Sequence, residues 1–248
     1  MMKSSIEDVV AIILVGGLGT RLRTVIDDLP KPMASIDGEP FLTYQLAILR
    51  DAGIKKVVFA SGYMADVIES YFGSSWNEIS LQYSREDEPL GTGGAIINAT
   101  KKFGLNATTI VMNGDTFFPV NFEGMLLYHL DKRADVTIAM FESAEDTRYS
   151  MFKVDSSGLI IWKGSAHGEF YSGGIYLFSS QMMKDLGDMT VKPLSFEADL
   201  TPEFFRLGRR VFAYVASCPF IDIGVPNDYR KAEEIILPYF KDFTQRPL

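Results

Sequence analysis

The sequence predicts an α/β fold: a Rossmann-like, mixed, mostly parallel sheet flanked by helices on both faces. Three observations carry that prediction. Short β-branched apolar runs alternate with helically spaced ones over roughly the first 140 residues. The first run, Val10 to Val15, is apolar at every position, the mark of a strand covered on both faces. A glycine-rich turn, Gly16-Gly17-Leu18-Gly19, follows it at once. In open parallel sheets, ligands bind beyond such strand ends.

The elements follow in order. Phe41 to Ala52 is a helix with Leu42, Leu46 and Leu49 on one face and Gly53 as its stop. A strand over Lys56–Ala60 precedes a helix over Asp66–Phe72, whose Val67, Ile68 and Tyr71 lie on one side. A strand over Ser80–Ser84 leads to a helix over Gly94–Lys102 that closes on Gly104. The next strand, Thr109–Met112, ends at Asn113-Gly114-Asp115, so Asp115 and the glycine turn can line one site. A helix over Phe122–Arg133 and a strand over Asp135–Phe141 complete this part. Beyond it the chain turns β-rich. Met151–Val154 and Leu159–Lys163 flank the hairpin turn Asp155-Ser156-Ser157-Gly158. A strand over Gly173–Phe178, a helix over Ser179–Leu186, a strand over Arg210–Val215 and a turn at Asp222-Ile223-Gly224 follow. A helix over Asn227–Tyr239 begins just after Pro226. With no linker, repeat or low-complexity tract, residues 1–248 read as a single domain.

Composition narrows the partners. Of 248 residues, 47% are apolar and 23% charged, ordinary for a globular chain, and the formal net charge is -8. That balance argues against nucleic-acid binding, which needs clustered Lys and Arg, but leaves room for a locally basic pocket. The lone Cys218 allows no internal disulfide, and the two histidines, His129 and His167, stand far apart, so no zinc spacing exists. Glu7 and Asp8 precede the first apolar run, where a signal peptide wants positive charge. No run approaches the roughly 20 residues that span a bilayer. A cytoplasmic protein without membrane contact is expected. No coiled-coil pattern stands out, and a homo-oligomer stays open.

Glycines directly after a buried strand let backbone N–H groups approach phosphate oxygens. Arg21 offers a fork of donors, and Lys31 sits on a backbone stiffened by Pro30 and Pro32. Taken singly, each has a plainer reading: a structural turn, or a surface lysine. Neither the Walker pattern nor the dinucleotide fingerprint G-x-G-x-x-G is present. Asp115 and Asp222 each precede or follow glycine, which is also good turn chemistry.

Together these stretches resemble a known family. Leu14-Val15-Gly16-Gly17-Leu18-Gly19-Thr20-Arg21-Leu22 looks like the L-x-G-G-x-G-T-R-L signature of the sugar-phosphate nucleotidyltransferases, and Lys31-Pro32-Met33 like their K-P-M. The resemblance continues through Glu88-Pro89-Leu90-Gly91-Thr92-Gly93-Gly94-Ala95, Asn113-Gly114-Asp115, Gly173-Gly174-Ile175-Tyr176 and Asp222-Ile223-Gly224. It implies small-molecule substrates, a nucleoside triphosphate and a sugar 1-phosphate, and a Mg²⁺ held by Asp115 and Asp222. It implies catalytic roles for Arg21, Lys31, Asp115 and Lys163. It implies nucleotide contacts from Leu14, Gly16, Gly17, Gly19, Thr20, Arg21, Lys31, Glu88, Gly93 and Asp115. Sugar-phosphate contacts fall to Trp162, Lys163, Ser172 and Gly173. On this reading the part up to about residue 140 binds the nucleotide, and the rest the sugar phosphate.

The pattern departs from the family at two positions. Trp162 stands where an acidic residue usually precedes the lysine, and Ser172 where Asn usually precedes the glycine pair. The base is expected to be guanine, because its adjacent N–H and NH₂ donors suit a carboxylate such as Glu88, although Glu86-Asp87-Glu88 also reads as a solvated acidic turn. The string from Glu88 to Ile96, with Arg148-Tyr149 and Phe220 to Pro226, most resembles the D-glycero-D-manno-heptose 1-phosphate guanylyltransferases within the family. The short stretch after the last helix suits that subgroup. A mannose-1-phosphate guanylyltransferase, or a catalytically silent nucleotide-sugar-binding subunit, are the alternatives.

Overall fold

A computed structural model describes residues 5–17, 29–142, 151–163 and 170–241, with backbone alone at 162, 163 and 241. The strands are β1 (Val10–Leu14), β2 (Ser35–Ile36), β3 (Glu39–Pro40), β4 (Lys56–Ser61), β5 (Ser75–Trp76), β6 (Ile79–Arg85), β7 (Thr109–Asn113), β8 (Thr116–Phe117), β9 (Val136–Glu142), β10 (Met151–Val154), β11 (Ile160–Lys163), β12 (Phe170–Phe178), β13 (Val211–Val215) and β14 (Ile221–Asp222). The helices are α1 (Phe41–Asp51), α2 (Ala65–Phe72), α3 (Gly91–Phe103), α4 (Phe122–Asp131), α5 (Ser180–Asp188), α6 (Thr201–Arg206), α7 (Pro226–Tyr229) and α8 (Ala232–Lys241).

Ten of the strands share one mixed sheet. Its centre is parallel: β6, β4, β1 and β7 lie side by side, with Ile12 opposite Val58 on one edge of β1 and Val111 on the other. From β1 the chain first builds outward through β4 and β6, then returns to add β7 on the opposite side. The crevice between the ends of β1 and β7 is therefore the topological switch point, where such sheets hold ligands. Strand β12 continues the sheet antiparallel to β7 and β9, and β13 closes that edge parallel to β9.

Alternation along β1 explains the two-sided cover. Ala11 and Ile13 pack into the cluster that holds Leu46 of α1 and Met125 of α4, while Ile12 packs with Ile96 of α3 and Met183 of α5. All three strand residues are fully buried. The expected fold class holds.

Three local expectations need correction. Helix α3 begins at Gly91 instead of Gly94, because its glycines let the chain at 192–194 lie directly on the helix. Gly93 and Gly94 both donate N–H to the Leu194 carbonyl, at 2.8 and 3.2 Å, and a Cβ on Gly94 would stand 2.4 Å from the Lys192 carbonyl. The helix expected over Asn227–Tyr239 is two pieces, α7 and α8. The Asp222 turn is preceded by a short strand, β14, antiparallel to β8, which the sequence does not suggest.

Candidate active site

A cleft of about 520 Å³ opens at the switch point. That volume suits a nucleotide-sized ligand. Leu14, Gly16 and Gly17 line it where β1 ends. Gly17 faces open space: a Cβ there would meet nothing within 4 Å. Gly16 packs against the next strand's exit, where a Cβ would come 3.1 Å from the Gly62 nitrogen.

Lys31 enters from a single turn of 3₁₀ helix, Lys31–Met33, closed by the Met33 N–H on the Pro30 carbonyl at 2.8 Å. Pro32 and Met33 are buried, so the turn is anchored and the ammonium is aimed inward. Its Nζ lies 3.2 Å from Oδ2 of Asp115, with both side chains largely shielded from water. Asp115 follows β7 in the turn to β8. The β8–β14 ladder pairs Thr116 with Asp222, and the Ile223 N–H donates to the Asp115 carbonyl at 2.9 Å. Asp115, in the turn before β8, and Asp222, at the end of β14, thus arrive at one place. Asp222 is buried, and its Oδ1 accepts the Gly224 N–H at 2.7 Å.

Gly224 marks the convergence. A Cβ on it would stand 2.8 Å from Asp222 Oδ1, 2.9 Å from Lys31 Nζ and 3.1 Å from Asp115 Oδ2. Two carboxylates and an ammonium therefore face each other across bare backbone. This donor set fits a hard divalent cation that takes one or two carboxylates and completes its shell with phosphate and water oxygens. Among the described residues no group of three or more His, Cys, Asp and Glu could hold a metal alone, so a cation at Asp115 and Asp222 needs oxygens from the substrates.

A residue not foreseen from the sequence holds this arrangement. Gln45 of α1 is fully buried, and its Nε2 donates to the carbonyls of Asn113 and Thr116, each at 2.8 Å. Those carbonyls bracket Asp115, so one amide clamps the turn that presents the carboxylate. A polar residue on an otherwise apolar helix face, between Tyr44 and Leu46, is the one sequence signal for it.

Other expected residues stand differently. Gly19, Thr20 and Arg21, and the pair Arg148-Tyr149, lie outside the described residues, as do the side chains of Trp162 and Lys163. Glu88 is exposed and outside the cleft wall; the carboxylate that this loop contributes is Glu86. Glu86 accepts the Leu90 N–H at 2.9 Å, and burial pushes its pKa up against that bond. Gly93 is not in the wall either, because its N–H is taken by Leu194. Ser172 and Gly174 line the cleft, whereas Gly173 packs on the Phe118 ring, where a Cβ would clash at 2.3 Å. Gly174 has φ of +73°, and a Cβ would come 2.7 Å from Asn113 Nδ2, so the bulge in β12 requires glycine there.

Fold and cleft together define an α/β protein whose switch-point cleft gathers a lysine and two carboxylates. Comparison with known proteins agrees. Residues 10–238 match the family described as Nucleotidyl transferase, and the chain belongs to that family. It is 40% identical over 231 residues, 92% of this chain and 99% of the relative, to D-glycero-alpha-D-manno-heptose 1-phosphate guanylyltransferase of Aneurinibacillus thermoaerophilus. The protein of the same name from Campylobacter jejuni is 40% identical over 88% of this chain and 96% of its own. The crystal structure of HddC from Yersinia pseudotuberculosis superposes with a TM-score of 0.78 at 35% identity, over 91% of this chain and 98% of that one. That protein has also been solved complexed with GMP-PN.

Proposed function

We propose that the protein transfers the guanylyl group of GTP to D-glycero-D-manno-heptose 1-phosphate, giving GDP-heptose and pyrophosphate. The observation that carries this reading is the meeting of Lys31, Asp115 and Asp222 at the switch point, in a chain 40% identical over 92% of its length to a heptose 1-phosphate guanylyltransferase. A guanine nucleotide as donor is supported by the HddC complex with GMP-PN.

In the reaction an oxygen of the sugar phosphate attacks the α-phosphorus of GTP. The new P–O bond forms as the bond to the β-phosphate oxygen breaks, and pyrophosphate leaves with the electron pair. Both substrates are anions, so the cleft must offset their repulsion. Lys31 does this at the centre, and Arg21, with the amides of the glycine turn through Gly19 and Thr20, does it at the leaving phosphates. Asp115 and Asp222 are the residues that would hold a Mg²⁺ cofactor, which would supply a hard Lewis acid to offset phosphate charge. Gln45, by fixing the Asp115 turn, keeps that carboxylate aligned. No covalent enzyme intermediate is needed.

Glu86 takes the base-reading part expected of Glu88: a carboxylate in the wall accepts from the guanine N1–H and amino group together. The part up to about residue 140 serves the nucleotide, and Trp162, Lys163 and Ser172 serve the sugar phosphate. No helix among the described residues is long and apolar enough to cross a membrane. We take the reaction to be cytoplasmic, its product supplying cell-surface polysaccharide.

A pyrophosphate-release assay across four nucleoside triphosphates and several sugar 1-phosphates tests the reading. GTP with the heptose 1-phosphate should be the best pair. If UTP or CTP serves as well as GTP the base assignment fails, and if mannose 1-phosphate is preferred the sugar assignment fails.

A further inference from the structure

Two anions make a claim on the Lys31 ammonium. In the proposed reaction it offsets the charge of the phosphates. In the structure it is bonded to Asp115, with Nζ 3.2 Å from Oδ2 and both side chains largely shielded from water. Asp115 is also one of the two carboxylates that would hold a cation. Ammonium and cation therefore compete for one carboxylate, and their like charges repel as well.

The contact leaves one part free to move. Asp115 is fixed from several directions. Its carbonyl accepts the Ile223 N–H at 2.9 Å, the Gly114 N–H before it donates to the Leu14 carbonyl at 2.9 Å, and Gln45 holds the carbonyls of Asn113 and Thr116 on either side. The main chain of Lys31 is fixed too. Its carbonyl accepts the Ala34 N–H at 2.9 Å, and Pro32 and Met33 are buried. What remains is the lysine stem, an unbranched four-carbon chain that carries a point charge and turns without moving the backbone. Among the described residues Asp115 is the one hydrogen-bond partner of that charge. Gly16 and Gly17 line the same cleft as Lys31, so phosphates gathered at the glycine turn come towards the lysine.

Charge decides which partner the ammonium takes. Asp222 Oδ1, Lys31 Nζ and Asp115 Oδ2 stand 2.8, 2.9 and 3.1 Å from one point, the Cβ position of Gly224, so the ammonium lies beside both carboxylates. Two carboxylates and one ammonium sum to a single negative charge, a weak attraction for a divalent cation. A triphosphate changes both sides of this balance. It brings further negative charge and the oxygens that complete a hard cation's shell, and it offers the ammonium a second partner.

We infer that Lys31 is a latch on the cation site: bonded to Asp115, it keeps a divalent cation off the carboxylates until the phosphates of the nucleotide draw the ammonium away. Cation and nucleotide then bind as a coupled pair. The inference rests on the reading of the cleft given under the proposed function, and it adds regulation to that site. Coupling of this kind is reciprocal, so the cation favours the nucleotide by the factor with which the nucleotide favours the cation.

The test follows Mn²⁺ binding by electron paramagnetic resonance in the wild type, Lys31→Met, Lys31→Arg and the double variant Lys31→Met/Asp115→Asn. Each is measured with and without GTP, and always without sugar phosphate, so that no transfer occurs. In the absence of GTP, Lys31→Met should bind Mn²⁺ about ten- to hundred-fold tighter than the wild type. Lys31→Arg keeps the charge and should stay weak. Adding Asp115→Asn to Lys31→Met should abolish the gain, as expected if the released carboxylate is the ligand. GTP should tighten Mn²⁺ binding at least about ten-fold more in the wild type than in Lys31→Met; chelation of Mn²⁺ by GTP is common to both and cancels in that ratio. A folded Lys31→Met protein that binds Mn²⁺ no tighter than the wild type without GTP, or gains as much from GTP, overturns the inference. The wild type also decides without any Lys31 variant: Mn²⁺ binding that is as tight without GTP as with it, and is lost in Asp115→Asn, overturns the latch. These measurements need no turnover, so a wild type that releases no pyrophosphate with any sugar 1-phosphate overturns the underlying function as a separable result.

Discussion

Replacing Gly224 by alanine perturbs the centre at one atom. The added methyl would stand 2.8 Å from Asp222 Oδ1, 2.9 Å from Lys31 Nζ and 3.1 Å from Asp115 Oδ2, where real Cβ contacts are rarely below 3.4 Å. All three groups must give way by a few tenths of an ångström, or the Gly224 backbone must retreat and stretch its 2.7 Å bond to Asp222. Overpacking of this kind costs about 1–3 kcal/mol of stability. The functional effect should be larger, because displacement of catalytic groups by about 1 Å can lower turnover about 10²-fold. Pyrophosphate release at saturating substrates, followed through a Mg²⁺ titration, should therefore show a turnover loss of that order and a raised Mg²⁺ requirement. Gly187→Ala is the control: its Cβ meets Thr100 Cγ2 at an ordinary 3.5 Å inside α5, so activity should hold and stability should rise by about 0.4–1 kcal/mol. Wild-type turnover and Mg²⁺ dependence in Gly224→Ala would refute the idea that these three side chains work as one centre.

Gln45→Met keeps the length of the side chain but leaves the carbonyls of Asn113 and Thr116 without its amide. Denaturant melts should register a loss of about 2–4 kcal/mol, and Mn²⁺ binding followed by electron paramagnetic resonance should weaken; unchanged Mn²⁺ affinity would remove Gln45 from the metal turn. Glu86→Gln puts a donor where guanine needs an acceptor, so the KM for GTP should rise about ten-fold while that for the sugar phosphate holds; equal effects on both would argue against base reading. His129 is buried with Nδ1 2.8 Å from Thr137 Oγ1, and burial lowers its pKa from 6.5 to about 4. The unfolded chain takes up the proton first, so stability is full above pH 6.5 and falls as pH drops towards 4, by about 2 kcal/mol at pH 5 relative to pH 7. His129→Gln should flatten that part of the pH profile in urea melts, and an unchanged slope would assign the acid sensitivity elsewhere.

What the sequence made legible has physical causes. Strand β1 is visible because burial on both faces demands unbroken apolar residues. Helix α1 is visible because Leu42, Leu46 and Leu49 recur at helical spacing, yet that spacing does not report that every residue from Phe41 to Leu49 is buried. Lys31 and the two aspartates stand out through their short glycine- and proline-rich contexts. Their meeting does not, since it depends on the two-residue ladder between β8 and β14, too short to leave a periodic pattern. The choice between Glu86 and Glu88 is equally hidden. Residues two apart on an irregular loop carry no period, and Glu86 is fixed by its N–H on the Ser61 carbonyl at 2.8 Å together with its carboxylate on the Leu90 N–H at 2.9 Å. Gly93 and Gly94 resemble phosphate-loop glycines by composition, yet their lack of side chains serves the packing of 192–194 on α3. Gln45 acts through contacts 68 and 71 residues away, which no local pattern reports.

The most direct test is phosphorus NMR of one reaction containing the protein, Mg²⁺, GTP and D-glycero-D-manno-heptose 1-phosphate. The account predicts that the GTP and sugar-phosphate resonances fall together, while the paired diphosphate resonances of GDP-heptose and that of pyrophosphate grow in equal amounts. Loss of GTP to GDP and inorganic phosphate, or no change with every sugar 1-phosphate supplied, would contradict it.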